Sequence, residues 1–125
     1  MTASSTILAK LTPPPANSVV TPERFKEGMP SFAAWMAAIE KNKETFQRHY
    51  DEWVPDMADI EAVKALVASK GVKALVIGED WCPDVWRGLP VVARIGELTG
   101  METRFFLRDQ NKDIMAEFLK DGEFE

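Results

Sequence analysis

Residues Val72-Lys73-Ala74-Leu75-Val76-Ile77-Gly78 constrain the fold of this chain more than any other stretch. The run is short, apolar and rich in β-branched side chains, which predicts a strand buried on both faces. A helical pattern follows from Pro83 to about Thr99, with Gly100 placed to end it, and residues 101–107 predict a second strand. Strand, helix and strand in that order predict a right-handed parallel crossover in an α/β fold. Two parallel strands make a poor sheet, because parallel strands want cover on both faces and neighbours on both edges. The sheet therefore reads as unfinished towards the C-terminus.

Helices precede and follow this unit. Residues 1–20 read as a flexible lead, in which Pro13-Pro14-Pro15 favours extended polyproline II. Residues 21–55 read as a helical extension. Thr21 and Pro22 start a short helix that ends near Gly28. A second helix is expected to run from Ser31 to about Trp53, with Phe32, Trp35, Met36, Ile39, Phe46 and Tyr50 mostly on one face. Pro55 breaks it. Asp56 or Asp59 caps a third helix, with Ile60, Val63, Leu66 and Val67 inward and Gly71 at its end. Residues 56–125 read as a partial domain, closing on a helix from Asn111 to about Lys120 with Ile114, Met115, Phe118 and Leu119 inward.

Charge and composition narrow the partners. The net charge of −5, from 20 acidic and 15 basic residues, gives no counterion-release drive towards a phosphate backbone, so no nucleic acid is expected. The same surface argues against an anionic membrane face, and the longest apolar runs fall far short of the roughly 20 residues a spanning helix needs. The N-terminus lacks the pattern of a signal peptide, and the expected location is cytoplasmic. Cys82 is the sole cysteine, so no intramolecular disulfide forms and no cysteine-built zinc site is expected. No metal or organic cofactor is implied.

The chemistry concentrates where the first strand meets its helix, at Trp81-Cys82-Pro83-Asp84-Val85. A cysteine at a helix start meets free backbone N–H groups and the positive end of the helix dipole, which favour the reactive thiolate. Pro83 fits the first helical position, and Trp81 is expected to shield one side of the thiol. Pro90 lies eight residues after Cys82, inside the predicted helix. An interior proline costs roughly 3 kcal/mol or more, so it needs a reason to be there.

The stretch from Val72 to Leu98 resembles the central strand, active-site turn and kinked helix of the thioredoxin superfamily. Trp81-Cys82 matches the start of that family's Trp-Cys-x-x-Cys turn, and Pro90 matches its helix proline. The chain is more similar still to bacterial thioredoxin-like proteins with extra N-terminal helices and a Trp-Cys-x-Asp-Cys turn, the pattern that Asp84 fits. The resemblance implies a thioredoxin-like fold, here incomplete at the C-terminus, and thiol–disulfide exchange with Cys82 as nucleophile and Trp81, Pro83, Asp84, Val85 and Pro90 around it. It implies a protein thiol or disulfide, or glutathione, as the partner.

Three departures change that expectation. Val85 stands at the second cysteine position, the family's buried acidic residue falls on Val76, and no proline after Pro90 supplies the family's cis-proline strand. Exchange proceeds through a mixed disulfide that a second thiol resolves, which Val85 cannot do. Activity is therefore expected to be impaired or monothiol. Two other readings stand beside it: a redox-inactive thioredoxin-fold binding module, and a truncated fragment of a longer oxidoreductase. Glu79, Asp80 and Asp84 oppose a second negative charge, and Arg87, one turn further along, is expected to offset part of this. Glu79 and Asp80 otherwise read as solvated loop carboxylates, His49 as a surface residue, and Trp35, Trp53 and Trp86 as packing residues.

Overall fold

A computed structural model describes residues 18–117. Most of the expected N-terminal lead lies outside the described residues, as do Phe118, Leu119 and Lys120. Four helices come first: α1 (Pro22–Lys26), α2 (Phe32–Ala38), α3 (Lys43–Glu52) and α4 (Met57–Lys70). Then come β1 (Lys73–Gly78), α5 (Pro83–Thr99), β2 (Glu102–Leu107), a 3₁₀ turn (Arg108–Gln110) and α6 (Lys112–Glu117).

Local chemistry sets most of the boundaries. The Thr21 and Ser31 hydroxyls accept from the amides of Arg24 and Ala34 at the starts of α1 and α2. Asp56, rather than Asp59, caps α4 by accepting from Ala58 N at 2.9 Å. Gly71 and Gly100 end α4 and α5 at φ 61° and 77°, where a side chain would be strained.

The single helix expected from Ser31 to about Trp53 is instead two. Ile39 is extended (φ −81°, ψ 162°) and Asn42 is left-handed (φ 62°). The residues between have good helix formers, so local propensity does not explain the break. The amides of Glu40 and Lys41 are drawn out of a helical ladder and donate to Asp80 Oδ2, both at 2.9 Å. Ile39 turns inward and is 3 % exposed.

The two strands pair in parallel, with Lys73 opposite Glu102 and Gly78 opposite Leu107. Met29 pairs antiparallel with Phe105, exchanging amide bonds of 2.8 and 2.9 Å, and so extends β2 on one side. β1 was expected to be buried on both faces, but Lys73 is exposed and residues 74–77 are half-buried. Two causes combine. Among the described residues no strand pairs with the far edge of β1. On the face carrying Lys73, Arg104 and Phe106, the side chains of Arg24 and Phe25 in the short helix α1 give part of the cover, and Gly28 packs on Phe106 and Arg104. Five helical residues span about 7.5 Å, against about 20 Å for a six-residue strand.

The other face packs against a core cluster. Phe32, Trp35, Ile39, Phe46, Leu89, Ala93 and Phe105 form one cluster drawn from α2, the break, α3, α5 and β2. Residues on both sides of position 55 thus share one hydrophobic interior. Phe32 stacks on Tyr50 at 4.3 Å, and Tyr50 donates to the Glu97 carboxylate, which ties α3 to α5. Gly96 lets α5 lie close to β2: a Cβ there would sit 2.7 Å from Thr103 Cγ2 and 3.1 Å from the Met101 carbonyl oxygen. Gly88, in the same helix, faces open space.

The two glycines predict opposite outcomes. Alanine in mid-helix gains about 0.5–1 kcal/mol over glycine, while overpacking costs about 1–3 kcal/mol. Urea unfolding is expected to show Gly88→Ala stabilised by about the first amount and Gly96→Ala destabilised by about 1–2 kcal/mol net. Equal effects at both positions would contradict the close α5–β2 contact.

Candidate functional site

The Cys82 corner begins where β1 ends. Gly78 is buried, and a Cβ on it would lie 2.5 Å from Val85 Cγ2, so the strand end and the first turn of α5 meet at Val85. The chain crosses from strand to helix in one turn, closed by Cys82 N donating to the Glu79 carbonyl at 3.3 Å. That is long for an N–H···O bond, so the turn needs support from elsewhere.

Asp80 supplies it. Its Oδ2 holds the amides of Glu40 and Lys41, as described, and its carbonyl accepts Asn42 Nδ2 at 2.9 Å and the Trp86 indole N–H at 2.7 Å. Glu79 accepts the amide of Asp109 at 3.2 Å, which ties the corner to the 3₁₀ turn after β2. Neither residue is the freely solvated carboxylate that the sequence suggested. Burial, and next the Asp109 carboxyl beside it, raise the Glu79 carboxyl above the usual range.

Cys82 is a half-buried free thiol at the N-cap of α5, in extended conformation (φ −85°, ψ 122°), and its side chain caps no amide. Pro83 occupies the first turn and has no N–H. The amides of Val85 and Trp86 both donate to the Cys82 carbonyl, at 3.0 and 3.1 Å. The first-turn amide of Asp84 meets no acceptor among the described residues. Pro83 and Asp84 are exposed. Trp81 is 53 % exposed and so stands out from the corner, whereas Trp86 is tied into it.

The remaining expected site residues lie inward. Val85 is half-buried and packs against the core cluster. Pro90 is fully buried two turns along, inside a helix that continues through it to Thr99. Arg87 is exposed and forms no ion pair among the described residues, so it does not offset the corner's carboxylates through a close contact. His49 lies half-buried on α3. Among the described residues no group of three or more His, Cys, Asp or Glu side chains could hold a metal ion. No helix there is long and apolar enough to cross a membrane.

A family model described as thioredoxin matches residues 29–125. The chain belongs to the thioredoxin family. No curated protein and no solved structure matches it. The thioredoxin match opens on Met29, the residue that bridges to Phe105 at the edge of β2. It takes in α2, the break, α3 and α4, so these three helices before β1 are part of the thioredoxin-family region, while α1 lies before it. Asp80 and Asn42 were missed as partners in sequence. Asn42 carried a usable signal, since asparagine tolerates left-handed backbone better than most residues.

The Glu79 shift gives a pH test with a defined sign. A raised carboxyl contributes stability that is fully present below the ordinary glutamate value of about 4.3. That stability is lost as pH rises through the raised value. Asp113 runs the other way: its hydrogen bond to Arg24 lowers its carboxyl, so its contribution is present above about 3.9 and lost on acidification. Between about pH 4.3 and neutrality, the unfolding free energy of Glu79→Gln is therefore expected to rise relative to the parent. A difference that stays constant across that range in urea titrations would show that Glu79 is not held in this way.

Proposed function

We propose that this thioredoxin-family chain carries out thiol–disulfide exchange as a monothiol, with Cys82 as its nucleophile. The Cys82 thiolate attacks one sulfur of a disulfide, a new S–S bond forms, and the other sulfur leaves as a thiolate. A protein disulfide or glutathione disulfide is the partner class. The mixed disulfide then persists until an outside thiol such as glutathione attacks it. That step fits a reducing compartment such as the cytoplasm.

The observation that carries this reading is the place of Val85. It stands one turn into α5 where a resolving cysteine would be needed, and its methyl groups fill the space over Gly78. Support for Cys82 as nucleophile comes from its N-cap position, its partial exposure and the uncommitted amide of Asp84. The N–H groups of a helix start are suited to a developing negative charge on sulfur. A second reading, a redox-inactive binding module, draws on Trp81, whose exposed ring offers an apolar contact beside the corner.

Mass spectrometry after incubation with glutathione disulfide tests the proposal. The expected result is one glutathione per chain on Cys82, stable after excess reagent is removed and released by added thiol. Cys82→Ser takes up none. Val85→Cys is expected to lose the persistent adduct by closing an intramolecular disulfide, and to gain turnover in insulin reduction. A parent chain that forms no adduct would overturn the monothiol reading and leave the binding module.

A further inference from the structure

The geometry points to Asp80 as a positioning residue for the Cys82 corner, acting by latching the turn before the thiol onto the break between α2 and α3. This inference rests on the proposed exchange chemistry for its consequence, though not for its geometry.

The turn from Glu79 to Cys82 is held internally by one bond of 3.3 Å. Asp80, a central residue of that turn, makes four bonds of 2.7–2.9 Å to groups outside it. Three come from residues 40–42, about 40 positions earlier in the chain. The fourth comes from Trp86, one turn into α5. The latch is reciprocal. The Asp80 side chain takes the backbone of 40 and 41, while the side chain of Asn42 reaches the backbone of Asp80. Trp86 then fixes the same carbonyl from the helix side. The residue that sets where β1 hands over to α5 therefore also sets the orientation of Cys82, two positions on.

Charge and position make opposite predictions for Asp80. As a charge, its carboxylate repels both a thiolate at Cys82 and an anionic glutathione disulfide, so removing it should speed the reaction. As a latch, its loss lets the sulfur wander from the line of attack, and small misplacements in reacting geometry are costly in rate. Both donated amides meet one carboxylate oxygen, Oδ2. An asparagine oxygen in the same place can accept both, so Asp80→Asn removes the charge and keeps the latch.

The experiment compares the rate of glutathione adduct formation in the parent, Asp80→Ala and Asp80→Asn, alongside amide hydrogen exchange at Cys82, Val85 and Trp86. The expected result is about tenfold slower reaction in Asp80→Ala, with lost protection at those amides. Asp80→Asn should match or exceed the parent rate and keep its protection. Asp80→Ala reacting as fast as the parent, with unchanged protection, would overturn the inference. If the parent forms no adduct, the exchange chemistry fails, and the amide protection alone decides whether Asp80 holds the corner. Should Asp80→Ala not fold, Asn42→Ala removes one strand of the latch and is expected to loosen the same amides; unchanged protection there would equally overturn it.

Discussion

One carboxylate oxygen organises much of this chain. A continuous helix from 31 to 53 would send the amides of Glu40 and Lys41 to the carbonyls of Met36 and Ala37. Given to Asp80 Oδ2 instead, they leave the ladder, and the helix stops at Ala38. Ile39 is then free to extend into the core, and α3 starts again at Asn42. The break lets α2 bring Phe32 and Trp35 against Phe105 and Leu89, while α3 packs along α5 through Phe46 and Tyr50. The same contact fixes the turn that delivers Cys82.

The energies favour this arrangement. A left-handed residue costs roughly 1–2 kcal/mol, less for asparagine. Hydrogen bonds to a charged group contribute about 1.5–3 kcal/mol each, and neutral ones about 0.5–1.5. The bonds here are partly exposed, so the lower ends apply. Glu40 and Lys41 thus exchange the neutral bonds of a helical ladder for stronger bonds to a carboxylate, and that difference, with the added bond from the Asn42 side chain to the Asp80 carbonyl, offsets the strain at Asn42.

What was legible in the sequence follows from how local each cause is. Thr21, Ser31, Asp56, Gly71 and Gly100 act within a few residues, and each marks the helix boundary expected of it. The crossover of β1, α5 and β2 was legible for the same reason, through an apolar run, a capped helix and a second run. The break at 39–42 was not, because its cause lies in Asp80, far along the chain. The Met29–Phe105 bridge was not either, since one residue pair leaves no periodic trace. At the site, the corner from Cys82 to Val85 could be read directly, yet the ties of Glu79, Asp80 and Trp86 depend on which loops the fold brings together.

The chain belongs to the thioredoxin family, and its corner sets one thiol at a helix start beside the apolar contact of Val85 with Gly78. That corner is held from outside itself, by the residues around the helix break. Amide hydrogen exchange at Glu40 and Lys41 in the parent protein tests this most directly. The account predicts that both amides are protected to the level of Phe46, whose amide donates to Asn42 in the first turn of α3. Exchange at the rate of free loop amides would contradict it.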